Sequence, residues 1–393
     1  MSRALSIALF LAVALTITGL VHYYLWIRLV RDLGLAPPWH RALTGVFVIL
    51  YLSLPASFVL ARNAQGGLAE VVLWATFVWM GLLLITFVVL LGAELARGIW
   101  ALAASVLEVE APRDPERRRV LARLYSGSVT LIAAGLGLVA VRSGLAGAAL
   151  KEVRVRLSRL PSALDGLTIV QLTDVHVGPT IRREFVEDIV RRTNALMPDI
   201  VAITGDLVDG SVEELRDHVA PLAELRAKYG VYFVTGNHEY YSGAESWCRE
   251  LTRIGIRVLR NERVSIGDEA ASFDLAGVDD YEARRFGSRA DLARALAGRD
   301  ESREVVLLAH QPRAVLEAQH HGVGLVLSGH THGGQIWPWN FLVRLQQPVV
   351  AGLARFGQTL VYVSSGTGYW GPPMRLGVPA EITRVVLEAG ERA

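Results

Sequence analysis

The sequence has little cysteine, little lysine and, over long stretches of its first half, no charge of either sign. Cys248 is the only cysteine, which excludes an internal disulfide and a metal site built from thiolates. Lys151 and Lys228 are the only lysines, so arginine supplies almost all of the positive charge. The formal net charge of the 393 residues is +2, and this near balance does not indicate a nucleic-acid partner held by bulk electrostatics.

The uncharged stretches predict a membrane region over residues 1–150. Hydrophobic residues make up 52% of the chain and the mean hydropathy is +0.34, which is too apolar for a typical soluble enzyme. A spanning helix needs about 20 apolar residues, a length that three of the four stretches reach and the fourth approaches. We therefore predict an all-α region of four transmembrane helices; the alternative is a group of buried helices in a soluble domain. The four stretches are residues 4–27, 42–61, 71–93 and 124–141.

The arginines between these stretches predict the orientation. They concentrate in the first and third loops, which the positive-inside rule assigns to the cytoplasm, so both termini would lie outside. Five basic residues after the fourth stretch oppose this orientation, although long domains are translocated largely regardless of charge. The arginines of the two loops are Arg28, Arg31, Arg41, Arg97, Arg113, Arg117, Arg118, Arg119 and Arg123, against Arg3 at the amino terminus and Arg62 in the second loop. The opposing residues are Arg142, Lys151, Arg154, Arg156 and Arg159.

Residues 151–393 alternate between strand and helix signals, which predicts an α/β layered domain. Apolar residues at helical spacing predict a helix over 182–197, and a second helix is predicted over 212–229. The charged, alanine-rich stretch 279–303 indicates a surface helix with loops. The predicted strands are residues 167–172, 200–204, 231–235, 305–309, 325–328, 360–364 and 384–387.

Five short motifs follow apolar runs of this domain, at the points where predicted strands end and loops begin. Their carboxylates, imidazoles and one amide are side chains that hold divalent metal ions. Because a lone Asp-x-His is common in surface loops, the prediction of a metal centre depends on all five motifs occurring together. The motifs are Asp174-Val175-His176, Gly205-Asp206-Leu207-Val208-Asp209, Gly236-Asn237-His238-Glu239, Ala309-His310-Gln311-Pro312 and Gly329-His330-Thr331-His332-Gly333-Gly334-Gln335.

These side chains suffice for two metal ions about 3.5–4 Å apart, an arrangement that hydrolyses phosphate esters. Asp206, at the end of a predicted strand, is the best candidate for a ligand that both ions share. Nitrogen and oxygen ligands of this kind suit Mn²⁺, Fe or Zn²⁺, and affinity order alone does not choose among them. The predicted ligands are Asp174, His176, Asp206 and His332 for the first metal, and Asp206, Asn237, His310 and His330 for the second.

The five motifs, in this order, resemble the calcineurin-like metallophosphoesterase superfamily, whose pattern is D-x-H, G-D-x-x-D, G-N-H-[DE], a lone His and G-H-x-H. The finer resemblance is to the bacterial YkuE-like branch, through runs such as GNHEYYSG at 236–243 and SSGTG at 364–368. The resemblance implies the same metal ligands and a four-layer α-β-β-α sandwich, in which helices flank two facing sheets. It also implies that His238 contacts the phosphate and protonates the leaving oxygen, and that Asp209 orients His238. Judged from the residues alone, Asp209 can instead cap the following helix.

We therefore predict a multi-pass protein of the bacterial inner membrane with an extracytoplasmic catalytic domain. This domain would hydrolyse phosphodiester or pyrophosphate bonds by attack of a metal-bridging hydroxide. Its expected partners are the lipid bilayer and a phosphorylated small-molecule or lipid substrate, including lipid-linked or cell-envelope phosphates. Two alternatives stay open: a pyrophosphatase of the UDP-2,3-diacylglucosamine type that faces the cytoplasm, and a membrane scaffold or sensor that holds metal only for folding.

Aromatic residues near and after the motifs suggest a further hypothesis. In it, residues 335–341 form an amphipathic lip near the bilayer that guides a lipid-linked phosphate into the site. The more common explanation of such residues is an ordinary aromatic core or rim. The aromatic residues concerned are Tyr240, Tyr241, Trp337, Trp339 and Trp370.

Overall fold

The computed structural model describes residues 3–63, 67–108 and 114–390 of the chain. The chain divides into two compact units, Met1–Arg142 and Ser143–Ala393. The domain boundary placed after residue 150 stays a prediction. Arg113, which contributed to the predicted orientation, lies outside the described residues, as do the side chains of Arg3 and Arg62.

Long helices build the first unit. They are α1 (Arg3–Leu29), α2 (Pro37–Asn63), α3 (Gly67–Val106) and α4 (Pro115–Leu145). Three stretches of the described residues, Leu11–Leu33, Gly67–Val106 and Glu116–Leu145, are long and apolar enough to cross a membrane. Their apolar side chains are widely exposed, with exposed fractions of 57% for Ile17 and 75% for Leu131. Lipid can cover such side chains, whereas buried helices of a soluble domain would not present them. The number of membrane passes stays a prediction.

Two six-stranded sheets form the second unit. The strands are β1 (Ala149–Leu157), β2 (Thr168–Leu172), β3 (Ile200–Ile203), β4 (Val231–Phe233), β5 (Arg257–Val258), β6 (Glu262–Gly267), β7 (Ser272–Gly277), β8 (Val305–Leu308), β9 (Leu325–Ser328), β10 (Gly352–Phe356), β11 (Thr359–Val363) and β12 (Glu381–Ala389). The first sheet has the order β1-β12-β2-β3-β4-β5 and the second β10-β11-β9-β8-β7-β6. Strands β2 to β5 run parallel to one another, and so do β7, β8, β9 and β11.

Helices cover the outer faces of both sheets, which gives the predicted four layers. Ile169 and Ile200 of the first sheet pack in one core with Leu275 and Val306 of the second. The helices are α5 (Arg183–Ala195), α6 (Val212–Val219), α7 (Asn237–Ser242), α8 (Ala244–Arg253), α9 (Leu292–Ala295), α10 (Val315–Ala318) and α11 (Asn340–Val343). A second core joins the first sheet to α5, α6 and α8, and a third joins the second sheet to α9 and α10.

Most predicted elements lie within three residues of observed ones, and two predictions are wrong. The helix predicted over 212–229 ends at Val219, because Pro221 lacks the N–H that a continuing helix needs; a 3₁₀ turn over Ala220–Glu224 follows instead. The stretch 279–303 holds only a 3₁₀ turn and the four-residue α9, because Gly287 ends the turn at φ +85°. Five strands were not predicted at all: β1, β5, β6, β7 and β10.

Candidate metal centre

The five motifs occupy the carboxyl ends of parallel strands. In the first sheet, β2 ends at Leu172, β3 at Ile203 and β4 at Phe233, and a motif follows each of them. In the second sheet, β8 ends at Leu308 and β9 at Ser328, and the two histidine motifs follow. Parallel strands end at the same edge of a sheet, so side chains far apart in sequence meet there.

The backbone at this edge adopts an uncommon conformation. Residues other than glycine rarely have positive φ, and surrounding contacts must hold them in it. Here the N–H of Asp174 donates to the carbonyl of Gly205 at 3.0 Å, and the N–H of His176 donates to that of Asp206 at 3.1 Å. Such concentrated strain is a mark of functional sites. The candidate ligands with positive φ are Asp174 (52°), His176 (55°), Asp206 (51°), His330 (71°) and His332 (49°).

A first group of candidate ligands consists of Asp174, His176 and His332. Their ligand atoms lie within 4.8 Å of one another. The Nε2 atom of His332 is 3.4 Å from Asp174 Oδ1 and 3.1 Å from His176 Nε2. The Asp174 carboxylate is itself held by the hydroxyl of Thr173 at 2.7 Å and by the N–H of His330 at 2.9 Å. Two motifs thus supply one cluster of oxygen and nitrogen atoms able to hold a cation.

A second group consists of Asp206, His310 and His330, whose ligand atoms also lie within 4.8 Å of one another. His310 Nε2 is 3.1 Å from Asp206 Oδ2 and 3.1 Å from His330 Nδ1. Asn237 joins this group, because its Oδ1 is 3.2 Å from the same His310 nitrogen. On the opposite side of the ring, His310 Nδ1 is 2.9 Å from the carbonyl oxygen of Thr204. The four side chains assigned to the second metal by sequence therefore lie together.

Asp206 lies between the two groups. Its Oδ2 atom is 3.1 Å from His310 of the second group and 3.9 Å from His176 Nε2 of the first. Asp206 and His176 also form a third cluster of potential ligands with His238. A carboxylate in this position has one side chain of each group within reach, as a shared ligand requires. All seven predicted ligands are thus adjacent in space, and their binding of metal stays a prediction.

The charges of the site suit divalent cations. Burial would raise the pKa of Asp206, but His310 and His238 outweigh it and lower this pKa well below its usual value. Burial raises the pKa of Asp174. Burial, together with the nearby His310, lowers the pKa of His330 to about 3, so its imidazole is neutral. Burial would lower the pKa of His310, but the Asp206 carboxylate raises this pKa well above its usual value, so the ring would release a proton on binding a metal ion. Metal ions bind carboxylates and neutral imidazoles, and the side chains of this site supply both types of donor.

Asp209 holds two histidines at once. Its Oδ1 atom is 2.6 Å from His238 Nδ1 and 3.0 Å from His176 Nδ1. Burial alone would raise the pKa of Asp209, yet the two imidazoles lower it well below its usual value. The N-cap of α6 is Ser211, so the capping alternative for Asp209 does not apply. The contact with His176 was not predicted from sequence.

His238 faces the centre with its second ring nitrogen. Its Nε2 atom is 3.9 Å from Asp206 Oδ2, while its backbone N–H donates to Asp206 Oδ1 at 2.9 Å. Burial would lower the pKa of His238, but the carboxylates of Asp206 and Asp209 raise it to about 9. The rings of Tyr241 and Trp370 stand edge-on to it, with centroids 5.4 and 5.7 Å away. His238 therefore carries a proton at neutral pH beside the candidate ligands.

Glu239 has a role that the sequence did not reveal. Its buried carboxylate accepts hydrogen bonds from the backbone N–H groups of Asp206 at 3.0 Å, Leu207 at 2.8 Å and Gly236 at 2.6 Å. Burial, reinforced by the charge of Asp206, raises the pKa of Glu239 to about 7. The residue thus joins two ligand loops through their backbone. Its place in the Gly-Asn-His-Glu motif was the only sequence signal.

Arg375 is a second buried residue without a predicted role. Its guanidinium donates to the carbonyl oxygens of Ser365 at 2.8 Å, Gly368 at 3.1 Å and His332 at 3.4 Å. Burial lowers its pKa to about 10. These bonds fix the loop before β12 against the backbone of a candidate ligand.

Comparison with known proteins agrees with this site. A model of the family described as calcineurin-like phosphoesterase matches residues 167–334. A protein of Campylobacter jejuni, named an uncharacterized metallophosphoesterase, is 31% identical over 378 residues, which cover 95% of this chain and 96% of that protein. The chain belongs to the calcineurin-like metallophosphoesterases. The YkuE metallophosphoesterase of Bacillus subtilis is 31% identical over 253 residues, covering 61% of this chain and 85% of YkuE.

A relative in Bos taurus, named a transmembrane protein with metallophosphoesterase domain, is 42% identical over 289 residues. The alignment covers 70% of this chain and 64% of the relative, so the chain spans less than two thirds of that protein's length. Together with the apolar helices, this likeness supports membrane association. The family predicted from the motifs is thus confirmed, and the candidate spans agree with the membrane association predicted from the apolar stretches.

Proposed function

We propose that this metallophosphoesterase holds two divalent metal ions and hydrolyses phosphodiester or pyrophosphate bonds. The observation that carries the proposal is the position of Asp206, whose carboxylate has candidate ligands of both groups around it. The predicted sets are Asp174, His176, Asp206 and His332 for one ion, and Asp206, Asn237, His310 and His330 for the other. Mn²⁺, Fe and Zn²⁺ all suit such ligands.

Bound cations would neutralise the phosphate oxygens and lower the pKa of a water molecule enough for attack at neutral pH. The residues of the chain then have separate tasks. In hydrolysis the oxygen of water forms a bond to phosphorus while the bond to the leaving oxygen breaks. The leaving oxygen needs a proton, and His238 Nε2 is the acidic group beside the site.

Asp209 makes His238 suited to this task. A hydrogen bond from Nδ1 to Asp209 fixes the ring, so that Nε2 faces the candidate ligands. The negative charges of Asp206 and Asp209 keep the proton on the ring until the substrate takes it. A scaffold that held metal only for folding would have no use for a protonated histidine supported by a half-buried carboxylate. The enzyme is therefore favoured over the scaffold.

The sequence further predicts four membrane passes and an extracytoplasmic catalytic domain, from the arginine distribution. A topology reporter fused after residue 393 tests this orientation. Activity of the reporter in the periplasm would agree with it. Activity in the cytoplasm would contradict it and would favour the alternative pyrophosphatase of UDP-2,3-diacylglucosamine type.

The hydrolytic proposal is tested on the full-length protein in detergent, with bis-p-nitrophenyl phosphate and Mn²⁺. We expect metal-dependent cleavage and two metal ions per chain, counted by elemental mass spectrometry. For His238→Ala we expect kcat to fall at least 100-fold while the metal content stays unchanged. His320→Ala, at an exposed histidine outside the site, is the matched control. Full activity of His238→Ala would contradict the assigned role, and one bound ion per chain would contradict the two-metal centre.

A further inference from the structure

Five large apolar side chains are exposed together after the last metal motif. The exposed fractions are 53% for Trp337, 49% for Trp339, 57% for Phe341, 49% for Leu342 and 81% for Leu345. We call these five residues the apolar lip. Soluble surfaces rarely expose so many large apolar residues within a short segment, and such patches mark interaction sites.

The lip is joined to the rim of the candidate metal centre. The side chain of Gln335, two residues before the lip, donates to the carbonyl of Trp370 at 3.0 Å and accepts from the N–H of Trp370 at 3.0 Å. The ring of Trp370 in turn stands 5.7 Å from that of His238. A molecule held at the lip is therefore close to the proposed acid.

The first residues of the second unit contact the loop that supports the lip. Gly144, near the end of α4, lies against the loop that carries Trp370: a Cβ added there would be 2.6 Å from the carbonyl oxygen of Pro373. The same loop bonds to the start of the lip, because the N–H of Trp337 donates to the carbonyl of Leu376 at 3.0 Å. Gly144 also belongs to the candidate span Glu116–Leu145, so this loop joins the lip to the chain at the end of a candidate membrane span.

The charge of this region suits an anionic bilayer. No aspartate or glutamate occurs between Glu317 and Glu381 in the sequence. Arg344 lies within the lip segment and Arg355 follows it, and both side chains are exposed. Arginine attracts anionic headgroups, and tryptophan is enriched at the interface between lipid and water. A segment without carboxylates does not itself repel such headgroups.

We propose that the apolar lip docks on the surface of an anionic bilayer and admits a lipid-borne phosphoester to the metal centre. The docking stands on its own geometry, whereas the substrate class rests on the phosphohydrolase function proposed above. The apolar side chains of the lip insert into the interface between lipid and water. This insertion holds the rim of the metal centre at the depth of the lipid headgroups. The scissile bond of such a substrate then lies beside the metal centre while its acyl chains stay in the membrane.

Docking is tested on the full-length protein in nanodiscs of phosphatidylglycerol and phosphatidylethanolamine. A spin label is attached at Leu345→Cys and, as control, at Met197→Cys, whose native side chain is 85% exposed outside the lip; both carry Cys248→Ala. We expect oxygen, which concentrates in lipid, to accelerate the spin relaxation of the Leu345 label. A water-soluble nickel complex should instead accelerate the spin relaxation of the Met197 label. Water-like behaviour of both labels would overturn docking. An immobile Leu345 label protected from both reagents would indicate a protein partner or a second copy, and would also overturn it.

The substrate class is tested with two probes: bis-p-nitrophenyl phosphate in water, and a p-nitrophenyl phosphodiester of diacylglycerol in the same nanodiscs. For Phe341→Ser/Leu345→Ser we expect kcat/KM to fall at least tenfold on the lipid probe and less than twofold on the soluble probe. Met197→Ser/Leu316→Ser, a pair of similarly exposed residues, should change neither. Equal loss on both probes, or no loss on either, would refute guidance by the lip. If the wild type cleaves neither probe, the phosphohydrolase function fails, and the spin labels still decide docking.

Discussion

Replacing Asp209 by asparagine removes a negative charge that two imidazole rings share. The substitution keeps the size of the side chain and retains one oxygen that can accept a hydrogen bond. It affects the contact with His238 at 2.6 Å and the contact with His176 at 3.0 Å. The two contacts serve different ends, because one supports the proposed acid and the other orients a candidate metal ligand.

The expected loss follows from the charge. A hydrogen bond to a charged group contributes about 1.5–3 kcal/mol and a neutral one about 0.5–1.5 kcal/mol, so each contact weakens by about 1–1.5 kcal/mol. That is about tenfold for each contact. Poorer protonation of His238 adds to its share, since a positioned acid contributes about 10²–10⁴-fold. We expect kcat at saturating Mn²⁺ to fall about 100-fold, and metal affinity to fall about 10- to 100-fold because the partner of a ligating histidine is weakened.

The assay separates the two effects. Hydrolysis of bis-p-nitrophenyl phosphate is measured over a series of Mn²⁺ concentrations, and metal binding is measured by calorimetry on the same protein. Asp217→Asn, at an exposed position of α6, is the control and should match the wild type. If Asp209→Asn kept kcat and metal affinity within threefold of the wild type, the positioning role of Asp209 would be refuted.

Three further predictions concern stability and reactivity. Glu239→Gln places an amide against three backbone donors, so we expect the free energy of unfolding to fall by about 2–3 kcal/mol and the midpoint of thermal unfolding to fall with it. Glu269→Gln, at an exposed turn, should leave the midpoint unchanged. Equal midpoints for the two variants would contradict the role of Glu239. Burial raises the pKa of Cys248 to about 12, so at pH 8 about one thiol in 10⁴ is ionised. The reaction of Cys248 with a disulfide reagent should therefore be slow in the folded protein, faster at higher pH, and fast once the protein is unfolded. Rapid labelling of the folded protein would contradict this burial. Removing divalent cations with a chelator should lower the midpoint, and Mn²⁺ at 100 times its Kd should restore about 2.7 kcal/mol; no change would contradict metal binding by the folded site.

Local patterns predicted the elements that carry the site. Apolar runs before each motif indicated β2, β3, β4, β8 and β9, because central strands buried on both faces have continuous apolar sequences. The strands that were missed lack this pattern. β1 carries Lys151, Arg154 and Arg156 on an exposed edge of its sheet, and β5 has only two residues. The helix predicted over 212–229 is longer than α6, because Pro221 cannot continue an α-helix.

The sequence by itself determined the metallophosphoesterase family, the apolar helices and the side chains that gather around Asp206. It could do so because each ligand motif is short and follows its own strand. Only the tertiary structure decided that Asp209 contacts His176 as well as His238, that Glu239 joins the loops of Asp206 and Gly236, and that the apolar lip is bonded to the loop of Trp370. These contacts join residues brought together by sheet order and loop packing. The distances between such residues depend on this packing, so the sequence pattern alone does not predict them.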